Sequence, residues 1–141
     1  MIDICKLKDI REDNDVSQVQ MSKILKINRS TYSLWELGIN IIPLKELCDY
    51  ANYFNLSIDY VLGLTNERNN FDKKIILNLE TLGKNLKKLR LEHNLSQETL
   101  SEILGVTQAC ITRYEKGLIC ISTTNLYNYS KFFNTTMTEL I

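Results

Sequence analysis

An internal duplication constrains this sequence more than any other feature. The 22 residues from Ser17 to Gly38, SQVQMSKILKINRSTYSLWELG, are matched 79 positions later by Ser96 to Gly117, SQETLSEILGVTQACITRYEKG. The match extends without a gap to 56 positions, residues 7–62 against residues 86–141. Self-similarity at a fixed period indicates one structural unit used twice. The sequence therefore predicts two domains, residues 1–64 and 79–141, joined by a linker over residues 65–78.

Apolar residues within each copy recur at helical spacing. One stripe of a first helix is formed by Leu79, Leu82, Leu86 and Leu89. Asn78 is placed to cap this helix, and Ser17 and Ser96 are placed to cap the second helix of their copies. Gln20, three residues after Ser17, completes a capping box. The second helix ends at an Ile-Leu pair and is followed by a turn of about three residues, in which Lys26 and Gly105 occupy a left-handed position.

Three more helices are predicted in each copy. The third is capped by Asn28 or Thr107 and stops near Gly38 or Gly117. Pro43 at a first helical position and Ser122 as an N-cap open the fourth, and Ser57 and Thr136 cap a short fifth. The predicted fold is all-α, with five helices in each domain. A generic bundle with coincidental turns is disfavoured because the same capping and glycine positions recur in both copies.

Composition excludes several classes of protein. The apolar runs are far too short to span a membrane, and no export signal is present, so we expect a cytoplasmic protein without a membrane partner. The four cysteines are widely spaced and His93 is the single histidine, which predicts reduced thiols, no metal site and no cofactor. No phosphate-binding glycine loop or catalytic constellation is present, so we predict no catalytic residues and no enzyme activity.

Charge is zero overall but unevenly distributed. Residues 1–66 contain seven Lys/Arg against nine Asp/Glu, a net charge of −2. Residues 82–141 contain seven against five, a net charge of +2. Nucleic-acid-binding proteins usually carry a clear basic face, so composition alone leaves the partner open.

A capped helix, a short turn and a second capped helix are typical of the helix-turn-helix motif. The Ser-Gln start of the second helix, its Ile-Leu end, the Trp35-Glu36 or Tyr114-Glu115 pair and the later glycine resemble the phage repressor and Cro type of helix-turn-helix domain, the XRE family. LSIDYVLG, residues 56–63, is similar to the final helix of that family. The resemblance covers most of the chain and implies two tandem lambda-repressor-like domains.

In this family the third helix enters the major groove of DNA and its N-terminal residues contact base edges. Carried over position by position, the DNA-binding residues would be Gln97, Thr107, Gln108, Ala109, Thr112 and Arg113 in the second domain, and Gln18, Asn28, Arg29, Ser30, Ser33 and Leu34 in the first. Arginine suits guanine, glutamine suits adenine, and an alanine methyl suits thymine. Gln18 and Gln97, at the starts of their helices, resemble phosphate-contacting glutamines.

The resemblance and the repeat together predict internal contacts. Arg11 and Glu36, and at the same offset Arg90 and Glu115, are expected to form ion pairs linking the first helix to the end of the third. Helical periodicity places four further side chains of the third helices in the core: Tyr32, Trp35, Ile111 and Tyr114. The apolar linker residues 75–77 are expected to dock on a domain.

Sequence-specific binding of double-stranded DNA by a repressor-type transcription regulator is the leading hypothesis. The loops after the third helix read GINIIP and GLICIS, without the basic residues that would contact phosphates. The alternative is a protein-interaction or antitoxin-like module in which the first domain binds a partner through these loops; they could equally pack on another domain or on the fourth helix. A single chain could act as a pseudo-dimer on an asymmetric site, or two chains could form a homodimer on a palindrome.

Overall fold

The computed structural model describes residues 5–68 and 74–141, except for the side chain of Cys5. The chain divides into two compact units, Met1–Ile75 and Ile76–Ile141. Every regular element within the described ranges is a helix, which confirms the predicted all-α fold. None of these described helices is both long enough and apolar enough to cross a membrane. Residues 69–73 of the predicted linker lie outside the described residues.

The described part of each unit contains five helices in the same order. In the first unit they are α1 (Cys5–Asp13), α2 (Gln18–Leu25), α3 (Arg29–Glu36), α4 (Leu44–Phe54) and α5 (Ile58–Val61). In the second unit they are α6 (Leu79–Glu92), α7 (Gln97–Leu104), α8 (Gln108–Glu115), α9 (Thr123–Phe132) and α10 (Met137–Leu140). Helices α2–α3 and α7–α8 are the helix-turn-helix pairs.

Side-chain caps begin most of these helices, as the sequence predicts. The Ser17 hydroxyl accepts a hydrogen bond from the Gln20 amide at 3.1 Å, and Gln20 Oε1 accepts one from the Ser17 amide at 2.8 Å, which completes the capping box. Ser96 accepts from the Thr99 amide at 3.0 Å, and Asn78 accepts from the Thr81 amide at 3.0 Å. The same type of bond is made by Ser57, Ser122 and Thr136.

Two predicted helix starts need correction. Asn28 takes the extended backbone of an N-cap, but its side chain accepts no hydrogen bond from the first turn of α3. Because this helix end is exposed, water can satisfy its N–H groups. Thr107, at the same position in the second unit, does cap through the Cys110 amide at 3.1 Å. Pro43 is the N-cap of α4 rather than its first helical residue, because its ψ of 154° is extended.

The turn between the helices of each pair contains the expected left-handed residue. Lys26 has φ 58° and Gly105 has φ 68°. A residue with a Cβ atom is disfavoured by about 1–2 kcal/mol in this conformation, whereas glycine adopts it readily. At this turn the first unit therefore carries backbone strain that the second unit lacks.

The two cores are built from aligned positions. Six aligned pairs are fully buried in both units: Leu7/Leu86, Met21/Leu100, Tyr32/Ile111, Leu47/Leu126, Tyr50/Tyr129 and Ile58/Met137. Trp35 and Tyr114 are also buried, so all four core predictions for the third helices are confirmed. Full burial of a large aliphatic side chain is worth about 1.5–3 kcal/mol, so this shared set is a main source of stability in each unit.

Candidate nucleic-acid interface

A buried ion pair fixes the C-terminal end of the third helix in each unit. Arg90 in α6 donates from Nε to Glu115 Oε2 at 2.7 Å and from an Nη atom to Oε1 at 2.9 Å. Arg11 in α1 makes the same paired bonds to Glu36 at 2.7 and 3.0 Å. The two ion pairs predicted from the sequence are therefore confirmed. Such bidentate pairs specify orientation as well as supply energy.

The same arginines also hold the chain ahead of the second helix. The remaining guanidinium nitrogen of Arg90 donates to the Leu95 carbonyl at 2.7 Å, and that of Arg11 donates to the Val16 carbonyl at 2.9 Å. One side chain thus joins the first helix, the approach to the second helix and the end of the third. This arrangement sets the angle at which the third helix is presented.

The Glu36 carboxylate of the first unit is kept ionised by its hydrogen-bond partners. Burial acts to raise the pKa of Glu36, but hydrogen bonds from Arg11 and Gln18 outweigh it, so the pKa lies below its ordinary value. The bond to Glu36 correspondingly raises the pKa of Arg11, and the bond to Glu115 raises that of Arg90. Because the ordinary arginine pKa is already above the physiological range, both arginines are charged at neutral pH.

The two glutamines expected at phosphates are linked to these ion pairs. Gln18 donates from Nε2 to Glu36 Oε1 at 3.0 Å, and Gln97 donates to Glu115 Oε1 at 3.1 Å. Gln97 Oε1 also accepts from the Thr112 hydroxyl at 2.8 Å. Both glutamines are half-buried, so their carboxamides are oriented by the protein rather than by solvent.

The predicted base-reading residues of the second unit lie on one side of α8, opposite its core residues. Gln108, Ala109 and Arg113 are exposed, whereas Thr112 is half-buried beside Gln97. Thr107 is exposed, but its oxygen accepts the capping bond from Cys110. The helix therefore presents a carboxamide, a methyl group and a guanidinium to solvent.

The first unit presents a different set. Asn28, Arg29 and Ser30 are exposed at the start of α3, and Ser33 and Leu34 are half-buried one turn later. Leu34 occupies the position of Arg113, so α3 has no hydrogen-bond donor at that position. The chemistry available to the two third helices is different.

Sequence reasoning missed a basic residue at the end of α8. Lys116 is the C-cap of α8 and is exposed, whereas the aligned residue in the first unit, Leu37, is apolar and 69% exposed. The sequence could have indicated Lys116, because this residue directly follows Glu115, for which an ion pair was predicted. After each helix-ending glycine a large aliphatic side chain points to solvent, Ile39 at 66% and Leu118 at 67% exposure.

The sequences of both units match a known family. The sequence model described as "Helix-turn-helix" matches the chain twice, over residues 7–61 and 86–140, which together make up most of its length. The chain belongs to the XRE-type helix-turn-helix family. Proteins of this helix-turn-helix family are DNA-binding regulators rather than enzymes.

Two relatives are similar to part of the chain. The antitoxin PezA of Streptococcus pneumoniae serotype 4 is 32% identical over 60 residues, 43% of this chain and 38% of that protein. The uncharacterized HTH-type transcriptional regulator YobD of Bacillus subtilis (strain 168) is 29% identical over 62 residues, 44% of this chain and 55% of that protein. The chain thus spans only about two fifths to about half of the length of these relatives.

A solved structure is also similar to part of the chain. The restriction-modification controller protein C.AhdI from Aeromonas hydrophila is 28% identical, with a TM-score of 0.43. The match covers 45% of this chain and 96% of that protein.

Proposed function

We propose that this chain is a sequence-specific, double-stranded-DNA-binding transcription regulator of the repressor type, acting in the cytoplasm where such DNA lies. It reads the major groove with α8 and with α3. The observation that carries the proposal is the exposed row of Gln108, Ala109 and Arg113 on a helix whose end is fixed by the Arg90–Glu115 pair. A row of base-reading groups is useful only when its helix is held rigidly.

The chemistry of this row matches base edges in the major groove. The guanidinium of Arg113 fits O6 and N7 of guanine, the carboxamide of Gln108 fits adenine, and the Ala109 methyl fits the methyl group of thymine. Gln97, held by Glu115 and Thr112, lies at the N-terminus of α7, where backbone N–H groups favour a phosphate. Gln97 and the first turn of α7 together form a phosphate contact that fixes the register on DNA.

The second unit supplies the larger share of the affinity. Its residues 82–141 carry a net charge of +2, and it adds Lys116 at the end of α8, where a cation can contact phosphate. In the first unit, residues 1–66 carry a net charge of −2, and Leu34 and Leu37 stand at the positions of Arg113 and Lys116. Arg29 and Ser30 leave it a smaller role in base reading.

Selection of bound sequences from random DNA, at low and at moderate salt, tests the proposal. We expect one enriched motif, and we expect Arg113→Ala to relax the preference at one position at a cost of about 1–3 kcal/mol. Lys87 and Lys88 are exposed cations of α6, and we expect them to contact phosphates. Lys87→Ala combined with Lys88→Ala is therefore the control, because loss of phosphate contacts weakens all sequences alike. Arg29→Ala is the matched variant in the first unit and should cost less than Arg113→Ala. The absence of any enriched motif at low salt would refute the proposal.

A second candidate function is favoured by the exposed apolar side chains of the first unit. Leu37 and Ile39 are 69% and 66% exposed where phosphate-contacting cations would serve a DNA-binding protein. Together with the similarity to an antitoxin, they support a protein-interaction role for this unit. In that case Arg29→Ala would leave DNA affinity unchanged, and Ile39→Asp would abolish binding of a co-purifying protein without changing DNA affinity.

A further inference from the structure

An amide clamp holds the chain that follows the first unit's helices. Asn52 in α4 donates from Nδ2 to the Ile75 carbonyl at 2.8 Å, and its Oδ1 accepts from the Ile75 amide at 2.7 Å. One side chain thus satisfies both backbone groups of one residue, as a neighbouring strand does in a hydrogen-bonded pair of an antiparallel ladder. Ile76, the next residue, is 80% exposed. The docking predicted for residues 75–77 therefore holds for Ile75 but not for Ile76.

The clamped segment borders a groove between α2 and α4. The groove has a volume of about 550 Å³, and Lys74 of the clamped segment is one of its lining residues. Its apolar wall includes Ile24, Leu25 and Tyr53. The charged groups of α2, α4 and their turn that line it are two lysines and two acids, and one lysine and one acid are paired, Lys45 with Asp49 at 2.9 Å.

The second unit has the equivalent groove, between α7 and α9. Its volume is about 530 Å³ and its lining residues are Ile103, Leu104, Tyr127, Asn128, Lys131 and Phe132. Ile103, Leu104 and Phe132 align with the three apolar residues of the first groove. Ile103 and Phe132 are both 44% exposed.

The polar groups of this second groove differ from those of the first. Lys131 replaces Asn52, and it is the single charged side chain among the six lining residues. Asn128, one helical turn earlier, replaces Asp49 and is half-buried. An asparagine amide therefore remains in the groove. The helices of the first groove and their turn contribute two lysines and two acids, to which Lys74 adds a third lysine, whereas the lining of the second groove has one lysine and no acid.

From this difference we propose that the groove formed by Ile103, Leu104, Tyr127, Asn128, Lys131 and Phe132 binds an extended peptide segment of another protein that carries a carboxylate beside an aliphatic residue. The aliphatic side chain packs between Ile103 and Phe132. The Asn128 amide takes one backbone N–H and C=O, as Asn52 does for Ile75, and Lys131 pairs with the carboxylate. Main-chain bonds with side-chain pockets are a general mode of peptide recognition.

Titration of the ¹⁵N-labelled full chain with two blocked pentapeptides tests this proposal. The first peptide is EEIIL; the second is KKIIL, which is the sequence of residues 73–77 and has the same apolar part with opposite charge. We expect millimolar EEIIL to shift the amide signals of Asn128, Lys131 and Phe132. We expect KKIIL to bind about threefold more weakly, the effect of one exposed ion pair.

Two surface variants distinguish the contribution of the Lys131 charge to peptide binding from that of the apolar groove. Lys131→Glu should reverse the preference between the peptides, and Ile103→Asp should abolish the shifts with both; circular dichroism melts verify that each variant folds. No shift at the α9 amides with millimolar EEIIL would overturn the proposal, as would an unchanged preference in Lys131→Glu. Shifts of the same amides that grow with protein concentration alone would identify a second copy of the chain as the occupant instead.

Discussion

Replacement of Arg11 by methionine should severely destabilise the first unit. Arg11 makes two bonds to Glu36 and one to the Val16 carbonyl, and its side chain is 9% exposed while that of Glu36 is 3% exposed. Methionine keeps much of the aliphatic volume but none of the donors. The substitution therefore leaves a buried carboxylate without its counter-charge and a backbone carbonyl without its donor.

The burial of this ion pair determines how much the free energy of unfolding of the first unit should fall. Removal of one partner of a buried ion pair costs about 3–5 kcal/mol, because the remaining charge is desolvated without compensation. Small domains have total stabilities near the lower end of about 5–15 kcal/mol. Since 1 kcal/mol corresponds to about 4–8 °C in a domain of this size, the melting temperature of the first unit should fall by about 12 °C or more.

Tryptophan fluorescence reports on the first unit alone. Trp35 is the single tryptophan of the chain, it lies in α3 next to Glu36, and it is 4% exposed. Urea unfolding followed by its emission should give a lowered midpoint in Arg11→Met. Arg90→Met breaks the equivalent pair of the second unit, which has no tryptophan, and is the matched control. It should lower the circular dichroism transition and leave the tryptophan transition in place.

Two results would refute this reasoning. If Arg11→Met lowered the free energy of unfolding by less than about 1 kcal/mol, the Arg11–Glu36 pair would contribute no more than an exposed salt bridge does. The double variant Arg11→Met, Glu36→Leu removes the stranded charge and should recover part of the loss. If the double variant were less stable than the single one, the loss would come from packing or from the Val16 carbonyl rather than from the unpaired carboxylate.

Three further predictions concern pH, the turn and the DNA site. Because the pKa of Glu36 is lowered in the folded state, its ionised form should stabilise the first unit fully above the ordinary glutamate pKa of about 4.3. This stabilisation should be lost as the pH falls through the lowered pKa. Acid unfolding followed by Trp35 fluorescence would contradict this if Glu36→Gln left the transition unchanged. Lys26→Gly should stabilise the first unit by up to about 1 kcal/mol in urea titrations, and Gly105→Lys, where a Cβ would meet no neighbouring atom, should destabilise the second by a similar amount; equal stability of Lys26→Gly and the parent would exclude the strain. One chain should protect an asymmetric DNA site because the two third helices differ; a complex with the mass of two chains on a perfect palindrome would favour the homodimer.

The sequence by itself determined the helices, most of their starts and the two cores. A cap such as Ser17 with Gln20, or Ser96 with Thr99, joins residues three positions apart, so the local sequence is sufficient to predict it. Core positions follow from helical periodicity, and the repeat doubles every such observation. The Arg11–Glu36 and Arg90–Glu115 pairs span 25 residues, yet they were predictable because they recur at the same offset and the family resemblance suggested them.

Other contacts leave no pattern in the local sequence or in the repeat, and they depend on the tertiary structure. The bonds of Gln97 to Glu115 and Thr112, and of Asn52 to the backbone of Ile75, join residues 15 to 23 positions apart through side chains that could equally have faced water. Asn28 shows the converse, because an extended backbone makes it an N-cap while its side chain makes no capping bond. A polar side chain at a surface can exchange a protein partner for solvent at little cost in free energy. Which partner it takes therefore depends on how the helices pack, and only the folded chain determines that.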